Sequence, residues 1–165
     1  ATVMGKSGYF YTICDPDFFF VFAILDTSWK KAISYHRYQQ IKYHPMLNIG
    51  DNVALSDLSH ISCVSDISIG ANCLIGSKVY IGDHNHGSLS NQHEVLNIPP
   101  AHRCLGDIKS IFIGENSWIC DGVVILAGTR LAAGTVVGAN SVVRLSVERP
   151  ALIAGVPARV IKYFD

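Results

Sequence analysis

The stretch IFIGENSWICDGVVILAGTRLAAGTVVGANSVV, residues 111–143, carries an aliphatic side chain at every sixth position. The repeated residues are, in chain order, Ile113, Ile119, Ile125, Leu131, Val137 and Val143. Four positions after each of the first five lies a small or β-branched residue, namely Ser117, Val123, Thr129, Thr135 and Ser141. A period of six matches neither the 3.6-residue turn of an α-helix nor the two-residue alternation of a plain strand. The pattern therefore indicates short strands joined by tight corners.

Three of these hexads predict one triangular coil of about 18 residues, with a strand on each side. Successive coils would then stack as parallel strands about 4.8 Å apart. On this register the stacked pairs are Ile113 with Leu131, Ile119 with Val137, and Ile125 with Val143. Because one coil cannot bury its own interior, the stacking of coils supplies the core. The repeat predicts an all-β fold of the parallel β-helix type, and the pattern alone leaves its handedness open.

Shorter runs of the same repeat lie upstream. One run has aliphatic residues followed by glycine at Ile69-Gly70, Ile75-Gly76 and Ile81-Gly82. A weaker run precedes it, with aliphatic residues at Ile49, Leu55 and Ile61. A two-residue slip after Ile67 separates the two runs, so we expect a distorted first coil. The predicted β-helix domain therefore covers residues 47–165.

Two segments do not follow the repeat. Residues 1–46 are rich in aromatic side chains and are predicted to form a short helical or irregular cap over the open end of the stack. A helix is expected over residues 27–42, with Thr27 or Ser28 as its N-cap. Contact with a partner or a membrane surface is the alternative use of the aromatic side chains. Residues 87–110 interrupt the coils as a long protruding loop, either functional or a tolerated insertion.

The composition excludes several functional classes. Apolar residues make up 49% of the chain and charged residues 16%, which is typical of a globular domain. Thirteen basic and thirteen acidic side chains balance without any run of like charge, so we expect no nucleic-acid partner. The longest apolar stretch, residues 18–25, is too short for a membrane span. Five scattered cysteines without CxxC spacing favour free thiols and a cytoplasmic location.

A histidine pair lies where the loop begins. In the hexad formed by residues 81–86, the first and fifth side chains should point inward, and the fourth and sixth outward. His84 and His86 are therefore predicted to project from the outer wall on the same side. A neutral imidazole with a pKa near 6.5 can take a proton from an alcohol at physiological pH. An exposed pair without chemistry is the alternative.

Zinc catalysis is a competing interpretation of the same histidines. His84 and His86 could supply two ligands, and a zinc site of this kind needs a third histidine. That ligand would have to be His60, His93, His102 or a residue of another subunit. Because no HxxxxH spacing occurs in the chain, we expect no metal cofactor.

Four motifs in this order resemble the hexapeptide-repeat acetyltransferases with a left-handed β-helix: DHNHG (83–87), IGENSWI (113–119), VVGANSVV (136–143) and IAGVPARVIK (153–162). Within that superfamily they are most similar to bacterial O-acetyltransferases that act on lipopolysaccharide and other surface polysaccharides. The resemblance covers residues 47–163. It implies acetyl-CoA as co-substrate and a saccharide hydroxyl as acceptor. It also implies a homotrimer with each active site between neighbouring subunits.

The resemblance also implies roles for individual residues. His86 falls on the position of the general base, with His84 as the alternative, for direct attack on the thioester without an acyl-enzyme. The backbone N–H of Asp121 falls where relatives stabilise the oxyanion. Residues at coenzyme-binding positions are Trp118, Ala139, Arg144, Arg159 and Lys162. Ser56 and Val64 replace the asparagine and aspartate with which galactoside acetyltransferases hold their sugar, so those contacts do not carry over.

The expected function is that of a cytoplasmic, trimeric acetyl-CoA-dependent saccharide O-acetyltransferase in surface-polysaccharide assembly. N-acetylation of an amino sugar is the alternative among enzymes. A trimeric β-helix scaffold without catalysis is the alternative from another functional class.

Overall fold

The computed structural model describes residues 12–15, 18–21, 31–33, 36–38 and 41–165, the first four of these ranges as backbone only. The N-terminal strands are β1 (Thr12–Asp15), β2 (Phe18–Val21), β3 (Lys31–Ile33), β4 (His36–Tyr38) and β5 (Ile41–Tyr43). The strands of the next coils are β6 (Met46–Ile49), β7 (Ala54–Leu55), β8 (His60–Ser62), β9 (Asp66–Ile69), β10 (Leu74–Ile75) and β11 (Tyr80–Gly82).

The loop carries secondary structure of its own. Its elements are β12 (Asn85–His86), helix α1 (Gln92–Asn97), a 3-10 turn (Pro100–His102) and β13 (Leu105–Gly106). The coils then resume with β14 (Ile111–Ile113), β15 (Trp118–Ile119), β16 (Val124–Leu126), β17 (Arg130–Leu131), β18 (Val136–Val137), β19 (Val142–Val143) and β20 (Ser146–Val147). A hairpin of β21 (Ala151–Gly155) and β22 (Ala158–Tyr163) ends the stack.

The coils stack into three parallel faces, each named here after its first strand. The β6 face contains β6, β9, β14, β17 and β20; the β7 face contains β7, β10, β15, β18 and β21; and the β8 face contains β8, β11, β16 and β19. The register predicted from the repeat is confirmed for all three pairs, Ile113 with Leu131, Ile119 with Val137, and Ile125 with Val143. The fold is therefore the predicted parallel β-helix.

The repeated aliphatic side chains form the core of the β-helix. All six in residues 113–143 are almost completely buried, and Ile69, Ile75 and Ile81 extend the same columns into the preceding coil. Burial of one such side chain stabilises the fold by about 1.5–3 kcal/mol. The small residues of the repeat lie inside the corners, where Ser117 Oγ donates to the carbonyl of Gly114 over 2.7 Å. Thr135 and Ser141 make the equivalent bond in the following hexads.

The helix predicted over residues 27–42 is wrong. The described backbone in that range is extended, and it includes β3, β4 and the start of β5. Strand β3 pairs antiparallel with β6, and β2 pairs in the same sense with β8. The open edge of the first coil offers unpaired backbone groups, and pairing with them overrides local helix propensity. Thr27 and Ser28, the predicted N-caps, lie outside the described residues.

Asparagines support one corner of the stack. Asn52, Asn72 and Asn116 have φ values of 57°, 58° and 57°, in the left-handed region that asparagine tolerates better than most residues. The amide of Asn52 donates to Asn72 over 3.2 Å, and that of Asn72 donates to Asn116 over 3.3 Å. The same corner therefore recurs from coil to coil. In the described part of the chain, we find no helix long and apolar enough to cross a membrane.

We predict that Leu58→Asn stabilises the protein. Leu58 occupies a corner with φ 60°, and its side chain is 76% exposed, so strain there is not offset by burial. Relief of the left-handed strain should raise the free energy of unfolding by about 1 kcal/mol, measured by urea denaturation. Leu89→Asn is the control, since Leu89 is 65% exposed without a positive φ, and it should change stability by less than about 0.5 kcal/mol. Equal effects of the two changes would contradict the strain argument.

Candidate active site

Asp83, which follows β11, is a fully buried carboxylate. Its Oδ2 accepts the backbone N–H groups of Val64, Ser65 and Asp66 over 3.1, 2.8 and 3.1 Å, and Oδ1 also lies 3.0 Å from the Val64 nitrogen. Val64 and Ser65 form the bend between β8 and β9, where the first coil departs from the repeat, and Asp66 begins β9. A buried charge is costly unless hydrogen bonds satisfy it, and here the bend supplies those donors. Asp83 therefore ties the first coil to the start of the loop.

His84 is the second partner of this carboxylate. Its Nδ1 lies 2.9 Å from Oδ1 of Asp83, and only 10% of the His84 side chain is exposed. The prediction that both histidines project freely from the wall is therefore wrong for His84. The strand alternation behind that prediction ends at Gly82, where Asp83 turns inward and the chain leaves the wall.

His86 is exposed, as predicted, at the root of the loop. It belongs to a two-stranded antiparallel ribbon in which His86 of β12 pairs with Leu105 of β13. Partial burial lowers the pKa of His86 below its ordinary value, and the charges of His84 and Arg103 lower it further. A lowered pKa leaves more of the ring neutral at physiological pH, which is the form that can accept a proton.

Arg103 holds the helix of the loop beside His86. Its Nε donates to the carbonyl of Ile98 and its Nη2 to the carbonyl of Val95, both over 2.8 Å. At the other end of α1, Glu94 accepts the backbone N–H of Ser88 over 3.2 Å. The loop is thus tied down at both ends of its helix, and its fixed positive charge lies close enough to act on His86.

Asp107 joins the two strands of the ribbon to the rest of the loop. Its carboxylate accepts the backbone N–H of Leu89 over 3.2 Å, the Asn85 amide over 3.3 Å and the Ser88 hydroxyl over 3.1 Å. These hydrogen bonds, the one from Leu89 first, lower the pKa of Asp107, and the charge of Arg144 adds to the effect. Arg144, a predicted coenzyme contact, therefore lies on the side of the stack that faces the loop.

Asp121 and Ala139 lie one coil apart at the corner between the β7 and β8 faces. The carboxylate of Asp121 accepts the Ser77 N–H over 2.7 Å, and its carbonyl accepts the Asn140 N–H over 2.9 Å. Among the described residues, the backbone N–H of Asp121 has no hydrogen-bond acceptor. This N–H is the group that the resemblance assigns to the oxyanion, and it is available for that role.

Trp118 lies on the outside of the β7 face and is 50% exposed. In register it lies between Leu74 and Val136, so apolar side chains form a column on that wall. Arg159 and Lys162 are exposed on β22 at the end of the stack, and the Lys162 ammonium lies 5.2 Å from the ring centroid of Phe164.

One chain does not bring His86 and Asp121 together. Asp121 precedes β16 and Leu126 ends it, while Leu126 pairs with Gly82 at the foot of the ribbon that carries His86. Five residues of extended chain span roughly 15 Å, so the two predicted catalytic groups lie at opposite edges of the β8 face. Within the described ranges, no group of three or more metal-ligating side chains is close enough to hold an ion.

The family described as bacterial transferase hexapeptide (six repeats) matches residues 110–144. These residues therefore carry the hexapeptide repeat of that family. Two Escherichia coli K12 proteins are similar to it over most of its described length. WbbJ, which is named as a lipopolysaccharide biosynthesis O-acetyl transferase, is 44% identical over 117 residues. These residues are 70% of this chain and 59% of that protein. WcaF, which is named as a colanic acid biosynthesis acetyltransferase, is 34% identical over 125 residues. These residues are 74% of this chain and 62% of that protein.

Solved structures of hexapeptide-repeat acetyltransferases share the fold. One from Vibrio cholerae, complexed with acetyl coenzyme A, has a TM-score of 0.61 and 28% identity over 72% of this chain and 61% of its own. A maltose O-acetyltransferase from Clostridium difficile has a TM-score of 0.62 and 27% identity over 72% of this chain and 59% of its own. The resemblance stated from the motifs is confirmed. The hexapeptide-repeat chain spans about three fifths of the length of the curated relatives named above.

Sequence reasoning missed Asp83, Arg103 and Asp107. Two irregularities of the repeat pointed to Asp83. The extra residues between β8 and β9, and the loop between β11 and β14, both lie at the corner between the β8 and β6 faces. No comparable signal marked Arg103 or Asp107, because their partners are backbone groups and side chains fixed only by the fold of the loop.

We predict that Arg103→Gln raises the pKa of His86. Removal of the positive charge makes the protonated ring less costly, so the ring should titrate at higher pH, measured by NMR titration of the imidazole. Arg103→Lys is the matched control, since it keeps the charge and loses the fork that binds Val95 and Ile98. An equal pKa change in both variants would show that the conformation of the loop, and not the charge of Arg103, sets the pKa.

Proposed function

We propose that this chain transfers an acetyl group from acetyl-CoA to a hydroxyl of a saccharide in the cytoplasmic assembly of a surface polysaccharide, with His86 as the general base. The observation that carries the proposal is His86 itself. It is an exposed imidazole with a lowered pKa at the root of the loop, in a fold shared with an acetyltransferase complexed with acetyl coenzyme A. The names of WbbJ and WcaF support a polysaccharide acceptor.

In the proposed mechanism the neutral His86 ring takes the proton of the acceptor hydroxyl. The hydroxyl oxygen bonds to the thioester carbonyl carbon, and the carbonyl oxygen gains negative charge that the Asp121 N–H stabilises. The carbon–sulfur bond then breaks, and the sulfur of coenzyme A receives the proton from His86. The products are the acetyl ester and the coenzyme thiol, without an acyl-enzyme.

We propose that the active unit is a homotrimer with each site between two copies. His86 and Asp121 lie at opposite edges of the β8 face in one chain, whereas a thioester must contact both at about 3 Å. His86 of one copy and Asp121 of its neighbour could meet across an interface. The exposed apolar column at Trp118 supports burial of the β7 face in such an assembly or against the coenzyme.

The coenzyme is proposed to lie along the corner formed by Asp121 and Ala139, with its phosphates near Arg144, Arg159 and Lys162. Arginine suits phosphate groups because its planar fork donates two parallel hydrogen bonds. These basic side chains are exposed, and the described chain shows none of them in an ion pair with a carboxylate.

We predict that His86→Ala lowers kcat by about 10²- to 10⁴-fold, because the hydroxyl loses its proton acceptor. Turnover is measured by thiol release from acetyl-CoA with a panel of saccharide acceptors. His44→Ala is the control, since His44 is exposed and far from the loop in the chain, and it should retain full turnover. Unchanged turnover in His86→Ala, with the fold intact by circular dichroism, would exclude His86 as the base.

Calorimetric titration with acetyl-CoA tests the donor. We expect binding near one site per chain, weakened about tenfold in Arg159→Ala because one charged hydrogen-bond donor to phosphate is lost. Arg149→Ala is the matched control, since Arg149 lies 4.3 Å from the centroid of the Tyr163 ring at the same end of the stack. Failure of a verified trimer to bind acetyl-CoA would favour the scaffold interpretation. Acetylation of amino sugars in place of hydroxyl acceptors would favour N-acetylation.

A further inference from the structure

We infer that Asp83 is a positioning residue, which fixes the hydrogen of the neutral His84 ring on Nδ1 and so leaves Nε2 as a hydrogen-bond acceptor for a hydroxyl of the saccharide. The inference rests on the proposed acetyl transfer. It assigns His84 a binding role next to His86 and assigns the control of that role to Asp83, the first residue of the DHNHG motif, to which the sequence analysis gave no role.

The contacts of Asp83 decide which group donates. The carboxylate faces the backbone nitrogens of Val64, Ser65 and Asp66, the thiol of Cys63 and Nδ1 of the His84 ring. Each backbone nitrogen carries a hydrogen and can only donate. An ionised carboxylate can only accept, so the 2.9 Å contact with His84 requires a hydrogen on Nδ1.

The tautomer of His84 follows from that contact. A neutral imidazole carries one hydrogen, and with that hydrogen on Nδ1 the lone pair is on Nε2. In the described part of the chain, Asp83 is the hydrogen-bond partner of the His84 ring, and the ring retains 10% exposure. The acceptor atom at Nε2 is therefore left for a group that is not part of this chain.

The location of His84 points to the saccharide as the source of that group. His84 is two residues before His86 at the root of the loop. A sugar carries hydroxyls on adjacent carbons, so a second hydroxyl lies within a few ångström of the reacting one. His86 would accept the proton of the reacting hydroxyl, while His84 Nε2 accepts a hydrogen bond from its neighbour.

A purely structural role of Asp83 would not need a histidine. The carboxylate accepts the backbone donors of Val64, Ser65 and Asp66 without any contribution from the His84 ring. The pairing with His84 therefore adds a function that closure of the bend does not require.

The first test is the tautomer itself, read from ¹⁵N NMR of histidine-labelled protein, with the His84 signals assigned by their loss in His84→Gln. We expect the Nδ1–H form in the native protein. In Asp83→Asn the amide N–H₂ replaces one acceptor oxygen, so the ring should shift towards the Nε2–H form. The charge-matched control is Asp57→Asn at an exposed corner, which should leave the His84 signals unchanged. A native Nε2–H form, or no change in Asp83→Asn, would overturn the inference.

The second test keeps Asp83 and its three backbone partners intact, so it holds even if Asp83→Asn fails to fold. The amide nitrogen of His84→Asn can replace Nδ1 and donate to Asp83, but it offers no atom at the place of Nε2. His84→Gln can offer an oxygen at that place. With methyl glycosides of glucose, galactose and mannose as acceptors, we expect His84→Asn to lose about tenfold in kcat/KM for the sugar, with the KM for acetyl-CoA unchanged.

Recovery of part of that loss by His84→Gln would support a hydrogen bond from Nε2 to the sugar. Equal activity of His84→Asn and the native protein would overturn it. If the native protein acetylates none of these glycosides although it binds acetyl-CoA, the proposed acceptor class fails, and the NMR arm still decides the tautomer.

Discussion

The structure depends on the stacking of one aliphatic side chain per hexad upon the corresponding side chain of the next coil. No coil has an interior of its own, so Ile119 is buried only because Ile75 and Val137 lie on either side of it in the column. Backbone hydrogen bonds link each coil to the next, with donors on both coils, and fix the register. The three faces that result are regular, and the repeat is interrupted where the first coil has extra residues and where the loop leaves the stack.

The candidate site lies at the interruption. The first coil has two residues more than the repeat allows. In the next coil, the loop of residues 87–110 leaves the stack at the same corner, between the β8 and β6 faces. Asp83 links the two irregularities, because it accepts the backbone donors of the bend and also binds His84. The buried Asp83 carboxylate thus connects the bend of the first coil to the His84 ring. Its Oδ2 lies 2.8 Å from the Ser65 nitrogen, and its Oδ1 lies 2.9 Å from Nδ1 of His84.

The sequence predicted the repeat, the register of the coils and the site of the loop, because these follow from spacing along the chain. It also predicted that His86 is exposed, since this residue falls on the outward side of the last hexad before the break. The same alternation failed at His84, because the strand ends at Gly82 and the direction of later side chains depends on Asp83. The helix expected over residues 27–42 failed for a similar reason, since pairing with the open edge of the first coil determines the extended conformation of β3.

The sequence by itself determined the columns of the core, since a six-residue period specifies which side chains face inward wherever the coil is regular. The tertiary structure alone decided what happens at the irregular corner: the burial of Asp83, its contact with Nδ1 of His84, and the positive charge of Arg103 close to His86. It also decided that His86 and Asp121 lie at opposite edges of one face. The reason is physical, because a period describes side-chain direction along the chain, whereas these features come from contacts between residues far apart in it.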